Sequence, residues 1–346
     1  MKKFFSFLCA LIIVVSVAQI TSFAQSNGNE ENTINIAMST DNNYTYQLIV
    51  SMTSILENKE KNTKLKFHIL LSDDFTNDNK EKILSLQDNY KDCCIDLVYI
   101  KKNFNKIKTR RKSFTAAYYR LILPSLFPKL NKILYIDADT IITEDLSELY
   151  NTDITNYYVA GVRDYWAITN NPDYQSIIGI KSMDQYINSG VLLMNLDAMR
   201  KDNVEDKFNQ YIDKNHCSGK HIGKFHDQDV INYVCHDKIL HIPLKYNAMH
   251  SCLYDYYCVE VHKWDISLFN NIKDFYGKKE WEEAVKSPTI IHFLGGHRPW
   301  RTPKKLPASS VWWKYAKKTD FFNEIVRKFR TRTNSYDMKR MINIEL

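Results

Sequence analysis

Short apolar runs alternate with amphipathic segments along the first part of the chain. Residues 34–39, 64–71 and 94–100 are apolar or alternating runs of strand length. The segments between them, residues 44–56 and 78–90, carry apolar positions at helical spacing. A strand–helix–strand–helix–strand order is typical of right-handed crossover connections, so it predicts an α/β fold with a mostly parallel sheet.

The most informative apolar run, residues 133–136, ends at two acids. It is too short for an independent helix, so we interpret it as a buried strand that ends before Asp137 and Asp139. In α/β folds ligands bind at the carboxyl ends of the strands, where these acids would lie. Two carboxylates one residue apart repel each other, and a divalent cation such as manganese or magnesium removes that cost. The alternative is a strand followed by an ordinary polar turn.

The same patterns continue through the rest of the chain. Strands are predicted at residues 157–162, 186–196, 239–243 and 289–292. Helices are predicted at residues 113–126, at 197–213 with Asp197 as N-cap, and from His226 onward. Residues 165–185 show neither pattern and are expected to form a long irregular loop, suited to a lid or an acceptor site.

Several polar residues interrupt these apolar segments. Arg120 lies inside an amphipathic helix, and a buried arginine needs an anionic partner, either a structural aspartate or a phosphate. Asn188 begins a strongly apolar strand. His292 ends another strand, and Gly295 and Arg298 follow it with the features of an anion-binding loop. A single histidine at a strand end is more often structural than a ligand, so this position alone decides nothing.

Length and charge set broad limits. The chain has 346 residues, 44% hydrophobic and 13% aromatic, enough for a substantial core. Roughly 100–200 residues per domain would allow two domains, but an α/β enzyme of this size is often one. The net charge of +7 is modest for this length, and we expect no nucleic-acid partner. Residues 301–346 hold 12 Lys and Arg against 4 Asp and Glu, so the basic character is C-terminal.

The C-terminal region combines these basic residues with Trp312, Trp313, Phe321 and Phe322. One interpretation is a pair of amphipathic helices that lie on an anionic membrane surface. The alternative is a packed, solvated helix pair.

The N-terminus has the features of an export signal. Two lysines precede the apolar residues 4–18, and Ser22 and Ala24 offer small side chains at the −3 and −1 positions of a cleavage site. The apolar run is short for a membrane span, although an uncleaved signal-anchor is an alternative. We therefore assign residues 1–32 to a signal peptide or signal-anchor and linker.

Cysteines give weak information. Export would permit disulfides, and Cys252 with Cys258 is the most plausible local pair. The adjacent Cys93 and Cys94 are expected on opposite faces of a strand, with at least one buried. No spacing typical of a metal-binding cysteine motif is present.

Five separated segments, in order, resemble the family 8 retaining glycosyltransferases, especially the bacterial lipopolysaccharide and lipooligosaccharide galactosyl- and glucosyltransferases. The segments are residues 36–44, 118–121, 137–139, 188–195 with 226–229, and 292–300. The resemblance implies the GT-A-like α/β fold of nucleotide-diphospho-sugar transferases, a mostly parallel Rossmann-like sheet with flanking helices. It places the catalytic domain at residues 33–300 and a basic, aromatic helical extension at 301–346.

The resemblance also implies a role for individual residues. Manganese or magnesium would be bound by Asp137, Asp139 and His292. The nucleotide and diphosphate of a UDP-sugar would be contacted by Ser39, Asp41, Asn43, Arg120, Gly295 and Arg298. The donor sugar would be held by the catalytic residues Asp164, Asn188, Asp227 and Gln228. The family usually has lysine where this chain has Arg298, so the way this loop closes over the phosphates is expected to differ.

The implied function is the metal-dependent transfer, with retention of configuration, of galactose or glucose from a UDP-sugar to a cell-envelope glycan or glycolipid. We expect membrane association rather than free secretion. A cleaved export signal conflicts with this function, because nucleotide sugars are made in the cytoplasm. One alternative is an exported, catalytically degenerate carbohydrate- or nucleotide-binding protein, and another is an exported metal-dependent hydrolase of sugar phosphates or nucleotides. The complete set of two acids and a histidine favours the transferase over a binding protein.

Overall fold

The computed structural model describes residues 33–101, 107, 112–169, 173–215, 225–249, 270–295, 298–301 and 308–330. The predicted export signal at 1–32 and the proposed pair Cys252 and Cys258 lie outside these residues. Within the described ranges, no helix is both long enough and apolar enough to cross a membrane.

The described strands and helices follow one another in an α/β order. The strands are β1 (Thr33–Ser39), β2 (Lys64–Leu71), β3 (Cys93–Tyr99), β4 (Lys132–Ile136), β5 (Thr140–Ile142), β6 (Val159–Gly161), β7 (Val191–Asn195), β8 (Ile239–His241), β9 (Ala248–Met249) and β10 (Ile290–His292). The α-helices are α1 (Thr45–Asn58), α2 (Asn77–Leu84), α3 (Leu86–Asn89), α4 (Leu123–Leu126), α5 (Ser147–Tyr150), α6 (Tyr165–Thr169), α7 (Tyr174–Ile178), α8 (Leu196–Lys201), α9 (Val204–Asn215), α10 (Asp227–Cys235), α11 (Asn270–Tyr276), α12 (Lys278–Lys286), α13 (Ser309–Lys317) and α14 (Phe322–Arg330). Short 3-10 helices span Lys112–Ile122, His236–Lys238 and Leu244–Asn247.

The central sheet has seven strands in the order β3-β2-β1-β4-β7-β6-β8. The pairs β2–β3, β1–β4 and β6–β8 are parallel, whereas β7 runs antiparallel to both β4 and β6. The predicted α/β fold with a mainly parallel sheet is confirmed. The direction of β7 was not predicted, because an apolar run indicates burial but carries no information about pairing direction.

Both faces of this sheet are covered by apolar side chains. Leu134 and Ile136 of β4 join the core that includes α1, and the alternate residues Ile133 and Tyr135 join a second core on the other face. All four are fully buried. Burial on both faces explains why β4 appears in the sequence as a continuous apolar run.

A second sheet of three strands, in the order β5-β10-β9, positions the histidine. Strand β10 pairs antiparallel with β5 and parallel with β9, in a register that sets His292 opposite Thr140 and beside Met249. The chain passes from the large sheet to the small one through the turn at residues 137–139. The backbone N–H of Phe293 donates to the carbonyl of Asp139 at 2.9 Å. This register brings the strand-end histidine next to the acidic turn.

The C-terminal helices α13 and α14 pack against α1. Trp312 and Trp313 are 0% and 1% exposed and belong to the same core as α1. The Asn58 side-chain amide, at the end of α1, donates to the Tyr315 hydroxyl at 2.6 Å. Helices α13 and α14 therefore pack on the core, and contact of this basic region with an anionic membrane surface stays a prediction. The domain boundary at residue 300 stays a prediction.

Three local predictions are wrong. Residues 165–185 contain α6 and α7 in place of an irregular loop, because Tyr174 and Ile178 turn inward and are buried. The helix predicted at residues 113–126 is a 3-10 helix followed by the short α4. Helix α8 is capped by Asn195, whose side chain accepts a hydrogen bond from the Ala198 N–H at 3.0 Å, and not by Asp197.

The predicted orientation of the adjacent cysteines Cys93 and Cys94 in β3 is confirmed. Cys93 is buried and Cys94 is exposed, as alternation along a strand requires.

Candidate active site

The side chains of Asp137, Asp139 and His292 converge at the end of β4. One ligand atom from each lies within 4.8 Å of the others. The Nε2 atom of His292 is 3.8 Å from Asp137 Oδ2 and 3.3 Å from Asp139 Oδ1. His292 is 1% exposed, and its Nε2 forms no hydrogen bond with the described residues. A buried ring nitrogen that faces two carboxylate oxygens without a hydrogen bond fits a cation site.

An arginine holds the other oxygen of each carboxylate. Arg120 Nη2 donates to Asp137 Oδ1 at 2.8 Å, and the Tyr135 hydroxyl donates to the same oxygen at 3.0 Å. Arg298 Nη2 is 3.1 Å from Asp139 Oδ2. Burial raises the pKa of Asp137 above its ordinary value, although Arg120 opposes the rise. Each acid therefore turns one oxygen to an arginine and the other to the histidine.

Arg120 is buried between two acids. Besides its bond to Asp137, its Nε atom is 3.1 Å from Asp227 Oδ2, and its Nη1 donates to the carbonyl of Ser189. The guanidinium also stacks over the Tyr135 ring at 4.1 Å from the centroid. Burial disfavours the charged form, but the two carboxylates outweigh it and raise the pKa of Arg120. Of the two partners left open by the sequence, the structure therefore has the aspartates. A contact of Arg120 with phosphate stays a prediction.

The predicted donor-sugar residues form one buried hydrogen-bonded cluster. Asp164 Oδ2 accepts from Asn188 Nδ2 at 3.0 Å and from Gln228 Nε2 at 3.1 Å. Gln228 Oε1 accepts from Asn188 Nδ2 at 3.2 Å and from the Ser189 N–H at 3.0 Å. The Ser189 hydroxyl donates to Asp227 Oδ2 at 3.1 Å, so the fourth residue joins the others. The structure thus brings together residues that are up to 64 positions apart in the chain.

Two acids at the start of α10 have unusually high pKa values. Asp227 is 5% exposed, and burial raises its pKa to about 6 against the opposing charge of Arg120. Asp229 is fully buried and accepts hydrogen bonds from Tyr174 at 2.8 Å and Tyr186 at 2.6 Å. These bonds favour the ionised form, but burial dominates and raises the pKa of Asp229 to about 6.

The predicted nucleotide-binding residues at the end of β1 lie at different depths. Ser39 Oγ is 2.6 Å from the Tyr135 hydroxyl, which in turn donates to Asp137, so two hydrogen bonds connect Ser39 to the metal candidates. Asp41 Oδ1 accepts from the backbone N–H of Asn43 at 2.9 Å and stabilises the turn before α1. Asn43 itself is exposed. Nucleotide binding by these residues stays a prediction.

The loop after β10 holds Arg298 in place. Gly295 has a φ of +74°, which favours glycine, and its carbonyl accepts from Arg298 Nε at 2.9 Å. The guanidinium lies 5.5 Å from the ring centroid of Tyr44 and 5.7 Å from that of Trp300. Burial, together with the charge of Arg301, lowers the pKa of Arg298 to about 10. Arg298 therefore connects the β10 loop to the turn before α1.

Gly190 leaves room for the histidine ring. A Cβ at this position would lie 2.1 Å from His292 Cε1 and 2.9 Å from Asp137 Oδ2. The carbonyl of Gly190 also accepts from the Asp137 N–H at 2.8 Å. A side chain at residue 190 would displace one or both of these side chains.

Sequence reasoning missed three residues of this site. Tyr135 gave a usable signal, since it is the one residue with a hydroxyl in the buried run of β4. Ser189 was noted only as part of the segment at residues 188–195. Asn247 gave no usable signal in the sequence, because a single asparagine beside a short strand has no periodicity. In the structure it is fully buried and hydrogen-bonded to His292 Nδ1 at 2.9 Å.

A family model described as glycosyl transferase family 8 matches residues 35–303. The chain belongs to glycosyltransferase family 8. An Escherichia coli relative named lipopolysaccharide 1,2-glucosyltransferase is 28% identical over 305 residues, which cover 86% of this chain and 79% of the relative. A Haemophilus influenzae protein is 34% identical over 216 residues, or 62% of this chain, and the match spans 63% of that protein, less than two thirds of its length.

Solved structures of other glycosyltransferases share the fold. The galactosyltransferase LgtC, in complex with donor and acceptor sugar analogues, superposes with a TM-score of 0.69 at 18% identity, over 86% of this chain and all of LgtC. The bifunctional glycosyltransferase WbbM gives a TM-score of 0.69 at 20% identity, over 88% of this chain and 53% of WbbM. The predicted GT-A-like fold is thereby confirmed, and this family 8 protein is a transferase.

The metal site predicted at Asp137, Asp139 and His292 can be tested with Gly190→Ala. This substitution is expected to weaken Mn²⁺ binding by about tenfold or more, because the new Cβ would push His292 out of position. Isothermal titration calorimetry with Mn²⁺ measures the change. Gly161→Ala is the matched control, since its Cβ would meet side-chain atoms of Ile187 and Leu192 and should lower stability without changing Mn²⁺ affinity. Equal Mn²⁺ affinity in Gly190→Ala and the unmodified protein would show that the ring is not confined as described.

The raised pKa of Asp229 predicts a pH-dependent stability. Since the pKa of about 6 in the folded protein exceeds the ordinary 3.8, folding favours the protonated acid. This contribution is fully present below about pH 4 and is lost as the pH rises through 6. The free energy of unfolding of the metal-free protein, relative to Asp229→Asn, should fall by up to about 3 kcal/mol between pH 4 and 7. Urea unfolding of both proteins tests this, and parallel pH profiles would contradict it.

Proposed function

We propose that this protein is a retaining hexosyltransferase that moves galactose or glucose from a UDP-sugar to a cell-envelope glycan or lipid-linked acceptor, with manganese or magnesium in its site. The observation that carries the proposal is the convergence of Asp137 Oδ2, Asp139 Oδ1 and His292 Nε2 at the end of β4. The Escherichia coli relative named lipopolysaccharide 1,2-glucosyltransferase supports the acceptor class.

The residues present fit a divalent cation. Two carboxylate oxygens and one imidazole nitrogen are suitable ligands for manganese or magnesium, and Gly190 keeps the space around them clear of a side chain. When bound, the cation would hold the two phosphates of UDP and offset the negative charge that builds on the leaving group.

Arg298 is proposed to assist at the same charge. Its Nε donates to Gly295 while its Nη2 faces Asp139, so the fork of the guanidinium bridges the loop and the acid. In this geometry the guanidinium contacts the loop and the acid through two different nitrogens, whereas a lysine would have to contact both with its single ammonium group. The arginine is therefore a coherent variation on the family pattern, and it supplies positive charge next to the site where the diphosphate would bind.

Gln228 is proposed to position the donor sugar and stabilise charge at its anomeric carbon. Its oxygen accepts from Asn188 and Ser189, and its nitrogen donates to Asp164. A neutral amide held at both ends is a poor nucleophile. This arrangement supports a reaction in which the acceptor hydroxyl attacks from the face that UDP leaves, so that the configuration of the sugar is retained.

The proposed setting is a membrane surface. Residues 1–32 would act as a signal-anchor, and the basic residues near the C-terminus would face anionic lipid headgroups. This setting keeps the enzyme near a lipid-linked acceptor. It also avoids the conflict between a cleaved export signal and the supply of nucleotide sugars.

The donor site predicts that UDP binding requires the metal. Calorimetric titration of the protein with UDP should give binding in the presence of Mn²⁺ and at least about tenfold weaker binding without it, because the cation would hold the diphosphate. Asp139→Ala should lose the metal-dependent binding. Asp153→Ala, which removes an exposed acid outside the site, is the matched control and should bind UDP normally.

The same titration separates the alternatives. Absence of UDP binding with and without Mn²⁺ would refute the donor site and favour the exported binding protein. If UDP binds, a UDP-sugar turnover assay distinguishes a transferase, whose rate rises with acceptor, from a hydrolase, whose rate does not.

A further inference from the structure

Asn247 is a fully buried asparagine whose side chain contacts two residues of the site. Its Nδ2 donates to Asn188 Oδ1 at 2.9 Å, and its Oδ1 lies 2.9 Å from His292 Nδ1. It ends the 3-10 helix Leu244–Asn247, immediately before β9. The parallel pairing of β9 with β10 places this turn beside His292.

The neighbouring hydrogen bonds determine which way both side-chain amides point. The backbone N–H of Gly190 can only donate, and it donates to Asn188 Oδ1 at 3.0 Å. On its other side, Asn188 Nδ2 donates to Asp164 at 3.0 Å. Asn247 must therefore present its nitrogen to Asn188 and its oxygen to His292. Because that oxygen can only accept, His292 Nδ1 must carry a proton.

We infer that Asn247 is a positioning residue that holds His292 in the Nδ1–H tautomer and so directs the lone pair of Nε2 toward Asp137 and Asp139. A neutral imidazole carries one proton, so a proton on Nδ1 leaves Nε2 bare. This is the form that binds a metal, and histidine ligands are commonly oriented by a hydrogen bond to the other ring nitrogen. The inference rests on the proposed metal-dependent function.

The same hydrogen bonds connect the metal ligands to the donor-sugar cluster. A continuous path runs from Asp164 through Asn188 and Asn247 to His292. Asn247 therefore has two separable tasks. Its oxygen sets the histidine tautomer, and its nitrogen holds Asn188 in the orientation that contacts Asp164.

Two substitutions separate these tasks. Asn247→Leu removes both hydrogen bonds and keeps the branched arrangement of side-chain heavy atoms. Asn247→Asp keeps an acceptor for His292 Nδ1–H but loses the donor to Asn188. Asn58→Leu is the control, because Asn58 also makes partly buried hydrogen bonds, to the carbonyl of Ile142 and the hydroxyl of Tyr315, at the far end of α1.

The tautomer is measured by ¹⁵N NMR of histidine-labelled, metal-free protein at pH 8, with the His292 signals assigned by their loss in His292→Gln. The unmodified protein and Asn247→Asp should show a protonated Nδ1 and a bare Nε2, and Asn247→Leu should show a shift toward Nε2–H. Calorimetry with Mn²⁺ should give a Kd raised by about 10–100-fold in Asn247→Leu and close to normal in Asn247→Asp and Asn58→Leu. In Asn247→Asp the KM for the UDP-sugar should rise, because Asn188 loses its partner.

An unchanged tautomer in Asn247→Leu, together with normal Mn²⁺ binding, would overturn the inference about Asn247 and leave the proposed function intact. If Asn247→Leu does not fold, Asn247→Asp decides, and loss of Mn²⁺ affinity in the folded Asn247→Asp protein would overturn the inference. If the unmodified protein binds neither Mn²⁺ nor Mg²⁺, the proposed function and the inferred purpose of the tautomer both fall, whereas the NMR result still shows whether Asn247 sets the ring.

Discussion

Electrostatic repulsion between Asp137 and Asp139 is the constraint on which the site depends. The turn at the end of β4 brings these acids together, and burial disfavours the charge of Asp137. Arg120 contacts one oxygen of Asp137, and Arg298 contacts one oxygen of Asp139. The second oxygen of each acid faces His292. The remaining negative charge, concentrated beside a ring nitrogen without a hydrogen bond, is what a divalent cation would offset. The hydrogen bonds and ion pairs around the turn are consistent with the need to offset the repulsion between the two acids.

The fold meets this requirement by joining two sheets at one turn. Strand β4 is buried on both faces and ends at the acids, while β5 continues directly into the small sheet that delivers His292. Helix α10 presents Gln228 from the other side, and the path through Asn188 links it to the histidine. The metal candidates and the donor-sugar candidates are thus fixed by the same hydrogen bonds, so the geometry of one group constrains the other.

Part of this arrangement could be predicted from the sequence. The strand at residues 133–136 and the acids that follow it have a local signal, namely an apolar run of strand length ending at charge. The need of Arg120 for an anionic partner was also visible, because a charge inside an apolar segment must be compensated. The partners of Arg120 were not visible in the sequence, since Asp137 and Asp227 are 17 and 107 positions away and no local pattern encodes such contacts. The role of Asn247 depends on the register of β9 and β10, and for the same reason it appears only in the folded structure.

Diffraction from a crystal of the protein with Mn²⁺ and UDP, recorded at the manganese absorption edge, would locate the cation. We expect one anomalous peak among Asp137 Oδ2, Asp139 Oδ1 and His292 Nε2, at about 2.0–2.6 Å from each, as for hard divalent cations in proteins. The diphosphate should contact the same peak. An ordered UDP with no peak among these three atoms, or a peak held by other residues, would show that the convergence of the acids and the histidine serves another purpose.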